Sequence, residues 1–281
     1  MNVTPKEKQI QILAALVEGN SIRSIERMTG AHRDTIMRLL VRIGKRCEAI
    51  SDKHIKDFHC HRLEADEIWT FVQKKQQRLR GEECHNPNIG DQFVYVALEP
   101  ETKLVPTYLI GKRNVQTTFQ FVKNLKKKLN GNGRIQLTTD GFGAYINAIE
   151  LVFGADIDYA QLIKVFASSI VGPGRYAPPH VAEIISNIII GNPLVEHVCT
   201  SYVERQNLSM RMEMRRFTRL TNAFSKKLEN LKAAVSLHFW HYNFKRIHRT
   251  LKCTPAMEAG IADHVWEWEE LLGLGAQKLS S

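Results

Sequence analysis

Residues 63–72 have the sequence LEADEIWTFV, and this stretch decides the fold. Its apolar residues are those of a β-strand, and two adjacent carboxylates, Asp66 and Glu67, interrupt it. Because successive side chains of a strand point to opposite faces, we expect only one of the two to face a functional site. Asp66 is the candidate, and Glu64 shares its face.

Two further carboxylates stand in different settings. Asp140 ends the apolar run 135–139 and precedes Gly141, whereas Glu204 lies at the head of a long, basic predicted helix. Each signal is common alone: Asp-Gly is usually a turn, and a helix-start Glu is usually a surface group. Together, three carboxylates from two strands and one helix can hold a pair of divalent cations, with Asp66 as the shared ligand.

The net charge of +10 is concentrated near the two ends of the chain. Residues 1–62 carry +5, residues 63–200 carry 0, residues 201–252 carry +9 and the tail carries −4. Two separate basic regions favour a polyanionic partner such as nucleic acid. The alternative is a basic surface that serves only solubility.

Several other classes of protein are disfavoured. The five cysteines include no C-x-x-C pair, so a zinc finger is not expected. The longest apolar run, residues 184–190, is interrupted by polar residues and is too short to span a membrane. Nothing resembles a signal peptide, so we expect a cytoplasmic protein without a membrane partner.

Residues 1–50 are predicted to form an all-α, helix-turn-helix DNA-binding domain. A short helix beginning after Ser21 is followed by a turn at Gly30 and a second helix over 32–42. In such a motif the start of the second helix enters the major groove, which places His32, Arg33 and Thr35 nearest the bases, with Asp34 among them. The alternative is an ordinary three-helix packing unit.

The rest of the chain predicts an α/β core. Residues 51–62 are expected to be a linker, residues 63–252 the core with an insertion at 167–200, and residues 253–281 an acidic tail. The predicted strands are 63–73, 92–98, 103–110, 134–139 and 162–166, and the predicted core helices are 115–129 and 144–153. This order is that of a ribonuclease-H-like, or retroviral-integrase-like, fold.

The helix that begins near Glu204 is the predicted DNA-contacting element of the core. Asn207 and Arg211 follow Glu204 by three and seven residues and therefore share its face. Asn207 is suited to orient water or phosphate, and Arg211 to hold a DNA phosphate. Arg215 belongs to the same basic stretch and is assigned the same role.

Three blocks, LEADEIW (63–69), TDGFGAY (139–145) and YVERQNL (202–208), resemble the catalytic blocks of bacterial DDE transposases. The first two are most similar to the insertion-sequence-one family. The resemblance covers roughly residues 60–260. It departs in one respect: members of that family often carry an N-terminal zinc finger, and this chain has no such cysteine pattern, which leaves the mode of end recognition open.

The resemblance implies a function and a set of partners. Asp66, Asp140 and Glu204 take the metal-ligand positions for two Mg²⁺ ions, for which Mn²⁺ can substitute. The implied activity is cutting of double-stranded DNA at the terminal repeats of an insertion sequence and joining of the freed 3′-hydroxyl to target DNA. A homodimer or larger synaptic assembly on DNA, in the bacterial nucleoid, is the implied setting.

Two alternatives remain open from the sequence. One is a sequence-specific DNA-binding regulator whose core does not catalyse. The other is a general nuclease of the same fold that cuts DNA without end specificity.

Overall fold

The computed structural model describes residues 4–129, 131, 133–167, 180–219 and 221–273. Three helices open the chain: α1 (Lys6–Val17), α2 (Ile22–Thr29) and α3 (Arg33–His54). The Ser21 side chain accepts a hydrogen bond from the Ser24 amide and caps α2, and Gly30 ends it with a φ of 64°. The predicted helix, glycine turn and second helix are therefore present.

The third helix is longer than its sequence pattern predicted. The predicted end at Arg42 is wrong, and part of the predicted linker 51–62 is helical because α3 continues to His54. Ile43, Gly44 and Cys47 extend its buried face beyond that point. Gly44 lies within this buried face, where its lack of a side chain permits close packing.

Packing of α3 at Gly44 gives a test of the fold. A Cβ added at Gly44 would lie 2.5 Å from the Ala233 Cα, so Gly44→Ala is expected to destabilise the protein by about 1–3 kcal/mol despite its better helix propensity. Urea unfolding followed by circular dichroism measures the change. Gly143→Ala is the control, because a Cβ there meets no atom within 4 Å; equal stability of the two variants would refute the close packing.

A six-stranded mixed sheet forms the core. Its strands are β1 (Arg62–Val72), β2 (Gly90–Leu98), β3 (Thr107–Gly111), β4 (Ile135–Thr139), β5 (Ile157–Ala167) and β6 (His180–Ile190). The spatial order is β3-β2-β1-β4-β5-β6. The β1–β4 and β4–β5 pairs are parallel and the others antiparallel. The predicted α/β class is thus confirmed.

Helices cover both faces of this sheet. They are α4 (Val115–Lys128) and α5 (Ala144–Phe153) on one face and α6 (Ser201–Glu213) and α7 (Leu228–Trp240) on the other. Strand β1 shows the division, because Ala65 is buried in the core under α4 and α5 whereas Ile68 is buried in the core under α6 and α7. A π-helical turn (His241–Lys245) and two short helices, α8 (Pro255–Glu258) and α9 (Trp268–Leu272), follow.

Two elements differ from their predicted form. The segment 167–200, expected to be an insertion, contributes edge strand β6 over His180–Ile190, while its residues 168–179 lie outside the described residues. Strand β6 leaves Ile184, Ile185 and Ile188 exposed. The long basic helix is also interrupted, because α6 ends at Glu213 and a 3₁₀ turn follows. Across the described ranges, no helix is long and apolar enough to cross a membrane.

Candidate active site

Asp66 and Asp140 come together because their strands are parallel neighbours. In the β1–β4 register Ala65 pairs with Thr139. Asp66 is the next residue of β1, and Asp140 is the first residue after β4. Strand β4 ends at Thr139, and Asp140 then turns the chain by accepting a hydrogen bond from the Phe142 amide on Oδ1, at 3.0 Å. Asp140 therefore stands at the carboxyl end of its strand, beside Asp66.

Glu67 also lies beside this pair, although the alternation of side chains along a strand had predicted that it would face away. One carboxylate oxygen from each of Asp66, Glu67 and Asp140 lies within 4.8 Å of the other two. The expectation that only one of Asp66 and Glu67 can face the site is wrong. The two do point toward different helix layers, but β4 has ended at this level, so Asp140 is close to both.

Arg113 holds two of these carboxylates. Its Nε donates to Glu67 Oε2 at 3.1 Å and its Nη2 to Asp140 Oδ2 at 3.3 Å. The guanidinium carbon also lies 3.9 Å from the centre of the Phe142 ring, a cation–π contact. No sequence motif marked Arg113, which reaches the site from the segment between β3 and α4.

Glu204 lies close to the cluster without belonging to it. Its Oε1 accepts a hydrogen bond from Thr200 Oγ1 at 2.7 Å and forms an ion pair with Lys164 of β5. Its charge is one of the influences that raise the pKa of Asp66, so the two side chains are within electrostatic reach. The structure thus brings Asp66 and Asp140 together and places Glu204 beside them, paired with a lysine.

Burial and mutual repulsion raise the pKa of the Asp66 and Glu67 carboxyl groups. Burial, with Asp140 and then Glu204 adding to it, raises the pKa of Asp66 to about 6. Burial and Asp140 raise the pKa of Glu67 to about 7. Burial also raises the pKa of Glu64 to about 7, although its Oε2 accepts hydrogen bonds from the Tyr202 and Val203 amides. Negative charge at the site is therefore incompletely compensated.

The donor set fits a divalent cation. Three carboxylates converge, and hard cations such as Mg²⁺ prefer carboxylate oxygens. Asn207 Oδ1 is buried and, within the described part of the chain, has no hydrogen-bond partner, whereas the buried Glu67 carboxylate has the Tyr145 hydroxyl beside it, which lowers its pKa. An unsatisfied buried oxygen beside a group of repelling carboxylates is what a bound cation would stabilise.

The three residues of the basic stretch that were predicted to contact DNA lie in different surroundings. Asn207 Nδ2 donates to Asp66 Oδ2 at 2.8 Å, so Asn207 orients the central carboxylate. Arg211 is half-buried; burial lowers its pKa, and the nearby Asp66 opposes that shift. Arg215 is exposed in the turn Arg215–Phe217, beyond the end of α6.

The three residues predicted to read bases lie at the start of α3. His32 is the N-cap, and its Nδ1 accepts a hydrogen bond from the Asp34 amide at 3.3 Å. His32 and Arg33 are exposed and Thr35 is half-buried, so two of the three side chains face solvent.

Comparison with known proteins gives distant similarities. No protein-family model and no curated protein matches the chain. It is similar to the Mos1 strand transfer complex and to the Mos1 transposase paired-end complex with left transposon end, at 15% and 14% identity over 53% and 54% of this chain, with TM-scores of 0.22. It is also similar to the piggyBac transposase synaptic complex with hairpin DNA, at 10% identity over 98% of this chain and 72% of that one, with a TM-score of 0.39.

The chain spans 56% and 59% of the two Mos1 chains. Identities of 15% or less and TM-scores of 0.39 or less are too low to assign a family. The carboxylates and the charges around them are therefore the features from which a function can be inferred.

Proposed function

We propose that this chain is a DNA transposase that cuts at the ends of an insertion sequence and joins them to target DNA. The observation that supports this most directly is the convergence of Asp66 and Asp140, with Glu67 and Glu204 next to them, beside the basic region that begins at α6. Resemblance of the three sequence blocks to bacterial DDE transposases supports the same function.

Asp66, Asp140 and either Glu204 or Glu67 would hold Mg²⁺, with Mn²⁺ as a substitute. When bound, divalent cations stabilise negative charge on the attacking and leaving oxygens of an in-line displacement. In the first reaction water attacks a backbone phosphorus and the bond to the 3′-oxygen breaks. In the second, that 3′-hydroxyl attacks a phosphorus of the target strand and a target 3′-oxygen leaves.

The protein's own residues position this chemistry. Asn207 holds the Asp66 carboxylate in one orientation through its hydrogen bond. Arg211, half-buried near Asp66, would bind a DNA phosphate. Arg113 pairs with Glu67 and Asp140, a role that a bound cation would take over.

The N-terminal helices are proposed to recognise the element ends. Residues 1–50 would act as a helix-turn-helix domain, with exposed His32 and Arg33, and Thr35, at the start of α3 entering the major groove. Since two ends must be held together for transposition, we propose that the protein acts on DNA as a homodimer or larger assembly.

One observation favours a second candidate, a DNA-binding regulator that does not catalyse. Arg113 pairs with Glu67 and Asp140, and Lys164 pairs with Glu204, so basic side chains partly compensate the acidic site without metal. Such a protein would bind the same DNA and leave it intact.

The experiment that separates these functions uses a supercoiled plasmid carrying the DNA that flanks the gene, with a second plasmid as target. With Mg²⁺ the transposase is expected to cut at the terminal repeats and to form joined products, and EDTA is expected to stop both. Cutting at arbitrary positions would identify a general nuclease instead. Retarded migration of end DNA without any cleavage would identify the regulator.

A further inference from the structure

A cavity of about 640 Å³ lies between part of the N-terminal helices and the core. One wall comes from the end of α1, the start of α2 and the first half of α3. The other comes from residues 214–216 and 221–238, which include most of α7. None of the clustered carboxylates lines it, so it is separate from the candidate active site.

The cavity is lined by basic side chains from both walls. Two belong to the N-terminal helices and three to the core, and they are Arg23, Arg33, Arg215, Arg216 and Lys226. No Asp or Glu is among the lining residues that the structure describes, and in those same described ranges none of the five cations pairs with a carboxylate. This concentration of uncompensated positive charge favours an anionic ligand.

Arg216 is the strongest single indication of that ligand. It is half-buried, and its Nη1 donates a hydrogen bond to the neutral Ser225 Oγ at 2.9 Å. Burial lowers its pKa to about 10, the direction expected when a guanidinium bears the cost of desolvation with no anion beside it. A bound anion would remove that cost.

The volume of the cavity and its other lining residues indicate the kind of anion that it would hold. Leu16, Met37, Phe224 and Leu237 form an apolar part of the wall, and the volume lies in the range of ligand pockets. Several guanidinium groups around one space match the oxygen geometry of phosphate. We infer that this cavity binds a phosphate group, carried either by the DNA backbone or by a free nucleotide.

A phosphate in this cavity would contact the N-terminal helices and the core at once. Arg23 and Arg216 line opposite walls, so an anion that both side chains reach would link the two parts of the protein. If the phosphate is DNA-borne, the inference rests on the proposed function and adds a point where end binding and the catalytic core are coupled.

The test compares the wild type with Arg23→Gln, Arg216→Gln and the double variant. Arg78→Gln is the matched control, since Arg78 is exposed and lies outside the cavity lining. Circular dichroism first establishes that each variant is folded. Fluorescence anisotropy then measures affinity for an end-containing duplex at several salt concentrations, and thermal unfolding with ATP or inorganic pyrophosphate tests a free ligand.

If DNA supplies the phosphate, the slope of log K against log salt is expected to become shallower by about 0.9 for each phosphate contact removed, and Arg78→Gln is expected to retain the wild-type slope. If a free nucleotide supplies it, ATP is expected to raise the Tm of the wild type and of Arg78→Gln but not that of the double variant. Wild-type behaviour of the folded double variant in both assays would overturn the inference.

The test of phosphate binding in the cavity can fail or succeed independently of the test of DNA cleavage. Cleavage at element ends by a wild type whose salt slope does not respond to the double substitution would remove the cavity proposal alone. A wild type that never cleaves DNA, yet responds to pyrophosphate through Arg23 and Arg216, would retain the cavity and remove the transposase.

Discussion

Replacing Asp66 by Asn is expected to lower metal-dependent DNA cleavage by at least about 10²–10³-fold, the range for loss of one electrostatic stabiliser of a transition state. Asp66 lies between the other acidic groups, close to Asp140 and Glu67 and within electrostatic reach of Glu204. The Asn side chain keeps the shape and leaves a polar partner for Asn207, so the loss should reflect the missing charge rather than unfolding.

The same assay identifies the third carboxylate. Glu204 is the residue that the sequence motif implies, whereas Glu67 is the residue that the geometry brings to the two aspartates. If Glu204 completes the site, Lys164 must release it and Glu204→Gln should be as inactive as Asp66→Asn, with Glu67→Gln retaining most activity. If Glu67 completes it, the order of the two variants reverses.

Initial rates of end cleavage at saturating Mg²⁺ give these comparisons, with Asp52→Asn as the control because Asp52 pairs with Lys128 away from the site. Binding of Mn²⁺ to the DNA-free protein, followed by isothermal calorimetry, supplies a reading that does not depend on catalysis. Wild-type rates and Mn²⁺ affinity in Asp66→Asn would mean that the acidic cluster is not the catalytic centre.

Much of the core could be predicted because its elements are locally encoded. Apolar patterning predicted β1, β2 and β4 to within about two residues. The helical spacing of Phe119, Val122 and Leu125 predicted α4, in which Val122 and Leu125 are buried. The proximity of Asp66 and Asp140 follows from two parallel strands that lie side by side, once the order of elements is known.

What could not be predicted depends on contacts distant in sequence. Strand parity excluded Glu67, but parity describes side-chain direction along one strand and not where the neighbouring strand ends. Helix α3 continues past its predicted end at Arg42 and packs through Gly44 against Ala233, a contact that nothing in the sequence indicates. Strand β6 follows a segment rich in glycine and proline, and its pairing with β5 is a tertiary event.

The ion pairs of the site also depend on contacts between residues distant in sequence and could not be predicted. Arg113 comes from the segment before α4 and Lys164 from β5, and neither stands near an acidic residue in the sequence. Only the folded sheet brings their side chains to Glu67 and Glu204.

Raising the pH is expected to destabilise the metal-free protein through Glu67, and Glu67→Gln is expected to remove that loss. The pKa of Glu67 is raised from 4.5 to about 7 by burial and by Asp140, and the side chain is 2% exposed. Between these values the folded protein retains a proton that the unfolded chain has released. The stabilising effect is therefore full below about pH 4.5 and is lost as the pH rises through 7.

The expected size is on the order of 3 kcal/mol, from about 1.36 kcal/mol for each unit of pKa. The stability of Glu67→Gln relative to wild type, measured as the free energy needed to unfold each protein, should therefore increase by up to that amount from pH 4.5 to pH 8. The pKa of Asp66 is raised as well, so Glu67→Gln should retain the part of the pH dependence that Asp66 contributes. Urea denaturation in EDTA at both pH values measures the difference.

Adding Mg²⁺ at pH 8 is expected to favour the stability of the wild type over that of Glu67→Gln, the opposite of the result in EDTA. A cation bound by Asp66, Glu67 and Asp140 favours their ionised forms, so it should stabilise the wild type more than Glu67→Gln. Glu229→Gln removes an exposed carboxylate paired with Lys45 and should respond to neither pH nor Mg²⁺ differently from wild type. If Glu67→Gln instead shows the wild-type difference between pH 4.5 and pH 8, Glu67 is not the buried, proton-retaining group that this geometry requires.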